Sequence, residues 1–364
     1  MVSLPVPDLE FSHVPGSTFA TPGFRSSWWV TLKPELQPKS PKASLVLMYL
    51  HGGAFMAGHP LMYKPAYRLW MQQMAEQGIH VRVFAVGYPL APEHPFPAGL
   101  HGVAEAYDWL VAQLGSSEHI ILAGDSAGGN LTITGLTYMR DRAAGTVQGP
   151  AAQPAAAAAA DTSQQQQGQA RPAFHPPLAA IMISPATDFT NSSVFGQGLP
   201  EQAQEQLEQQ QTQRSATGSA AVGGGSTSST EQLFHYDYIS KGEGDDVIRL
   251  YLPQPHDVAG LSDPLVSPMF IANFSGLVRR ELLVVTGGCE AMVPDIHRFV
   301  ARVTQVSPEL PVTHHVEEAQ PHCYCVLHLG KLLEKGAAVL LPFMLRMASG
   351  SSSSSGTGSS AGPA

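Results

Sequence analysis

Four short, almost unbroken apolar runs constrain the fold most: "SLVLMYL" (44–50), "HIILAG" (119–124), "AAIMIS" (179–184) and "ELLVVTG" (281–287). Runs of this length without polar alternation fit strands buried on both faces, as in a parallel sheet covered by helices. Three weaker segments, "SSWWVTL" (26–32), "HVRVFAV" (80–86) and "PVTHHVE" (311–317), also read as strands. Helical patterns fall between them at about 62–77, 99–115, 127–142, 294–305 and 329–346. Pro294 suits a first helical turn, whereas Pro342 is expected to kink or end the last helix. The alternation predicts an α/β domain with a mostly parallel sheet, flanked by helices and functional at the carboxyl ends of its strands.

Composition breaks this pattern in three places. An Ala/Gln stretch (about 146–173) and a Gln/Glu then Gly/Ser stretch (about 197–231) read as disordered inserts, and residues 349–364 as a disordered Ser/Gly tail. The globular domain therefore spans 25–348 less the inserts, after an N-terminal segment 1–24. Only 13% of residues are charged and the net charge is -9, with no long run of Lys or Arg, which argues against a nucleic-acid partner. Three cysteines, Cys289, Cys323 and Cys325, offer no disulfide framework and suit a reducing, cytoplasmic setting. The N-terminus reads as a poor signal peptide, and no stretch is apolar for long enough to cross a membrane.

The run at 119–124 leads into Gly124-Asp125-Ser126-Ala127-Gly128 and then a helix. Small residues flanking a serine at a sharp strand-to-helix turn permit a strained conformation in which the hydroxyl stands exposed, as a nucleophile requires. The alternative is a serine that only caps the helix. Upstream, the run at 44–50 ends in His51-Gly52-Gly53-Ala54-Phe55. Such a loop can present the backbone N–H groups of Gly52, Gly53 and Ala54 to an oxyanion, beside that of Ala127. Phe55 is a candidate for contact with the substrate.

Three blocks in this order, His51 to Phe55, "GYPLAPEHPFPAGL" (87–100) and "GDSAGGN" (124–130), resemble the hormone-sensitive-lipase-like branch of the α/β-hydrolases. Weaker likeness continues in "SPATDF" (184–189), "DPLVSPMF" (263–270) and "GGCEAMVPD" (287–295). The resemblance implies the α/β-hydrolase fold, carboxylic ester hydrolysis through an acyl-enzyme, a small-molecule ester as substrate and no metal or organic cofactor. It also implies the order nucleophile, acid, histidine. Ser126 is then the nucleophile and His322, in the loop after the segment at 311–317, the base. Glu290 occupies the position of the family's acid just beyond the strand at 281–287, with Asp295 as its rival. Alanine replaces the third oxyanion glycine, which costs a backbone donor nothing, and Tyr88-Pro89-Leu90 stands where tyrosine, arginine and leucine are expected. Any cap over the site should come from about 190–260. Two other readings share these motifs: an amidase or arylformamidase, and a non-catalytic small-molecule receptor of the same fold that has lost the base.

Overall fold

The computed structural model describes residues 6–147, 173–190, 237–239, 243–253 and 258–350. Nearly all of the first insert, all of the second and the tail from 351 lie outside the described residues. Strands β1 (Leu9–Val14), β2 (Ser27–Leu32), β3 (Ala43–Leu50), β4 (Ile79–Val86), β5 (Ile120–Asp125), β6 (Ala179–Ile183), β7 (Glu281–Gly287) and β8 (Val312–Glu317) form one sheet. Their order is β1-β2-β4-β3-β5-β6-β7-β8. The β1–β2 and β2–β4 pairs are antiparallel, and every pairing from β4 to β8 is parallel.

Helices α1 (Lys64–Glu76), α2 (Ala98–Leu114), α3 (Ala127–Ala144), α4 (Glu243–Tyr251), α5 (Val258–Leu261), α6 (Val293–Val306) and α7 (Leu332–Ser349) occupy the crossovers and the C-terminal end. Because side chains alternate along a strand, β3 sends Val46, Met48 and Leu50 into one core with α2, α3 and α6. It sends Leu45, Leu47 and Tyr49 into a second core with α1 and α7. The helices answer with stripes at helical spacing, Tyr67, Trp70, Met71 and Met74 on α1 and Leu340, Phe343, Met344 and Met347 on α7. The central strands are thus covered on both faces, as their unbroken apolar runs required.

Three features depart from expectation. β1 lies inside the N-terminal segment 1–24, antiparallel to β2, where no strand is predicted. Four of its six positions are exposed, so it carries neither an apolar run nor an alternation. α4 and α5 lie in the stretch expected only to supply a cap. Pro342 does not end α7, which continues to Ser349; Phe343, Met344 and Met347 are buried beyond it, and their packing outweighs the lost backbone bond.

Candidate active site

At the end of β5 the chain turns directly into α3 through Ser126, whose φ of 52° and ψ of -117° lie in a region that costs a non-glycine residue about 1–3 kcal/mol. The conformation is held from outside: Ser126 N–H donates to the Ile183 carbonyl at 2.8 Å, and its own carbonyl receives Asn130 N–H at 3.0 Å. Gly124 and Gly128 allow the turn because a methyl at 124 would strike the Gly128 carbonyl and one at 128 the Leu50 carbonyl. Ser126 makes no capping bond through its side chain. The hydroxyl therefore stands at the amino end of α3, where N–H groups favour negative charge, without being used as a cap.

The second residue of this turn matters as much. Asp125 is 1% exposed, and three donors converge on its carboxylate. The Tyr49 hydroxyl lies at 3.0 Å, the Tyr63 hydroxyl at 2.7 Å and Gly52 N–H at 3.0 Å. Asp125 therefore locks the glycine loop after β3 to the serine turn after β5. Gly52 is accordingly a correction to the expected oxyanion donors, because its N–H is spent on Asp125. Among the described residues, the N–H groups of Gly53, Ala54 and Ala127 have no hydrogen-bond partner in the protein. Gly53, Ala54 and Phe55 all have positive φ, 117°, 56° and 62°, so alanine at 54 preserves the donor but strains the backbone. His51 is buried and stacks on Tyr88 with ring centroids 4.5 Å apart. Burial lowers its pKa to about 4, which leaves it neutral. The Tyr88 hydroxyl also donates to the His51 carbonyl at 2.5 Å.

Phe55 is 2% exposed and stacks on Tyr251 of α4 at 3.9 Å between centroids. It fastens α4 over the glycine loop instead of offering an open face to a ligand, which corrects its expected role. Beside the same loop opens a cavity of about 400 Å³, lined by Arg25, Met56, Gly58 and His94 among others. None of Ser126, Glu290 and His322 lines it.

Beyond β7 and β8 the structure brings Glu290 and His322 together. Glu290 Oε2 lies 2.7 Å from His322 Nδ1, with both side chains almost wholly buried. The carboxylate can only accept, so Nδ1 carries the proton and Nε2 keeps its lone pair. Glu290 Oε1 is fixed by Gly287 N–H at 3.0 Å. Burial pulls the His322 pKa down, but the Glu290 hydrogen bond and charge, with Asp237 and Asp125, outweigh it and leave it above the usual 6.5. Burial lifts the Glu290 carboxyl, and the bonds from His322 and Ser184 hold it back. Asp295, the rival acid, sits in the first turn of α6 and pairs with Arg298 at 2.6 Å. Among the described residues Ser126 makes no hydrogen bond to either Glu290 or His322.

Sequence reasoning missed two residues here besides Asp125. Ser184, at positive φ just past β6, accepts the Cys323 N–H at 3.0 Å and donates to Glu290. Asp237 accepts the His322 N–H at 3.1 Å and the Ala291 N–H at 2.9 Å. A carboxylate closing an otherwise apolar strand was a usable signal for Asp125. Nothing local marks Asp237.

A family model described as the α/β-hydrolase fold matches residues 47–217, a span that begins in β3 and takes in the glycine loop and the serine turn. This chain has the α/β-hydrolase fold. The motif resemblance to the hormone-sensitive-lipase-like branch is borne out by the proteins this chain is similar to. It is 41% identical over 107 residues to hormone-sensitive lipase of Mus musculus, covering 28% of this chain and 13% of the lipase. It is 35% identical over 91 residues to an esterase of Acinetobacter venetianus, covering 25% of this chain and 28% of that one. The matches thus span well under a third of either relative's length. In three dimensions it superposes on the crystal structure of EstE5 soaked with p-nitrophenyl butyrate with a TM-score of 0.62. That superposition covers 96% of this chain and 87% of that one at 21% identity, a likeness of fold. Among the described residues no helix is long and apolar enough to cross a membrane.

Proposed function

We propose that this α/β-hydrolase cleaves small carboxylic esters through an acyl-enzyme, with Ser126 as nucleophile, His322 as base and Glu290 as acid. The observation that carries the reading is the buried Glu290–His322 bond at 2.7 Å, beyond the same sheet edge as the strained Ser126 turn. His322 Nε2 takes the Ser126 proton as Oγ attacks the ester carbonyl, and Glu290 stabilises the imidazolium that forms. The serine–histidine contact closes when substrate is bound, as catalytic hydrogen bonds often do. Negative charge on the carbonyl oxygen meets the N–H groups of Gly53, Ala54 and Ala127. His322 then protonates the leaving alcohol, and water, activated by the same imidazole, releases the acid.

Labelling with a fluorophosphonate tests the reading. The wild type is expected to react at Ser126 and Ser126→Ala not at all. A wild type that stays unlabelled while binding small carboxylic acids would make this a receptor. Parallel rates on an ester and on the matching amide and formamide separate esterase from amidase.

The pH profile has a definite sign. The base must be neutral to accept the serine proton, and its pKa is raised above 6.5. Activity should therefore be present at alkaline pH and be lost, as pH falls, through an apparent pKa above 6.5 in kcat/KM. Measurement with p-nitrophenyl butyrate checks this, and an acid limb centred below 6 would contradict it.

A further inference from the structure

We propose that Asp237 is a positioning residue of this site, its carboxylate tying the loop that carries the acid to the loop that carries the base. The inference rests on the hydrolase reading above. Glu290 and His322 leave different strands, and each depends on the shape of its own loop. Two backbone bonds already join the loops near their roots, Gly288 N–H to the Glu317 carbonyl at 2.8 Å and Cys289 N–H to the Gln320 carbonyl at 2.9 Å. Asp237 acts at the reacting residues themselves. Its Oδ2 accepts the N–H of Ala291, next to the acid, at 2.9 Å. Its Oδ1 accepts the N–H of His322, the base, at 3.1 Å, and that of its own neighbour Tyr238 at 2.9 Å. Tyr238 then sets its ring edge-on to the His322 imidazole, with centroids 5.7 Å apart.

Only a carboxylate fits this place. Three N–H groups converge on two oxygens, and an ionised carboxylate offers acceptors alone. Asparagine would turn an NH₂ group against one of these donors, and alanine would remove the shared acceptor from all three. The charge has a second effect. The acidic groups acting on the His322 imidazole are Glu290 beyond β7, Asp125 at the serine turn and Asp237, joined by the Tyr238 ring and the buried Cys323 thiol beside them. Asp237 thus both fixes the base and favours its protonated form.

These two effects separate positioning from mere structural support. In the full-length chain, with p-nitrophenyl butyrate and active sites counted by fluorophosphonate, Asp237→Asn should lower kcat per labelled serine by about 10- to 100-fold. KM should change little, and the acid limb of kcat/KM should move down by about half a pH unit. Asp237→Glu, which restores the charge on a longer arm, should return the limb toward its wild-type position. Wild-type kcat and an unmoved limb in both Asp237→Asn and Asp237→Ala overturn the proposal. So does a loss of activity that tracks a lower labelled fraction with the limb unmoved, since a purely structural role would do that. A wild type that neither labels nor hydrolyses is a different failure: the hydrolase reading itself falls, and this inference with it.

Discussion

Exchange of His322 for alanine is expected to lower kcat by about 10⁶-fold, because nucleophile and base act as one unit and neither works alone. What remains should be the small acceleration supplied by binding and by the oxyanion donors. Glu290→Gln is expected to cost about 10⁴-fold, since an amide at that position can hold the imidazole in the wrong tautomer without moving it. The 2.7 Å bond between Glu290 and Nδ1 is what makes this effect large. Asp295→Asn should leave turnover near the wild-type value, because Asp295 is engaged by Arg298. Steady-state rates of the three variants decide the assignment. Wild-type turnover in Glu290→Gln with an inactive Asp295→Asn would transfer the acid's role to Asp295.

The second large effect concerns stability. Asp125→Ala strands the Tyr49 and Tyr63 hydroxyls and Gly52 N–H, three donors that converge on one fully buried carboxylate. A buried unsatisfied donor costs about 1–3 kcal/mol, and removing one partner of a buried charged network about 3–5 kcal/mol. A loss of about 3–5 kcal/mol in denaturant unfolding is therefore expected. Slower fluorophosphonate labelling should accompany it, because the glycine loop loses its anchor to the serine turn. A loss below about 1 kcal/mol would mean that water or a neighbour satisfies these groups at little cost.

The sheet was legible because burial on two faces leaves a plain mark. The segment predicted at 281–287 is β7, residue for residue, and the other six predicted strands agree to within one residue at each end. β1 was illegible for the converse reason: an edge strand with four exposed positions need satisfy only its backbone. Within the site, Ser126, Glu290 and His322 sit just past strand ends, a position readable from the sequence, and the family resemblance supplied their expected roles. Residues that act across the fold could not. Asp125 meets Tyr49 and Tyr63 from positions 76 and 62 residues away, and Asp237 reaches His322 across 85. Gly52 shows the same limit: its N–H has the right address for an oxyanion donor, but a distant carboxylate already holds it.

The two compositionally biased stretches leave the sheet by opposite doors. Returning from the first, His175 and Pro176 accept hydrogen bonds from Tyr107 and Ser117, beside the start of β5. The second departs past the far end of β6, after Thr190, and the chain is next described at Asp237, bonded to His322. The described flanks of the first stretch thus lie at the amino ends of the parallel strands and those of the second at their carboxyl ends. The described residues that border the second stretch therefore lie on the side of the sheet that carries Ser126, and those that border the first lie on the opposite side.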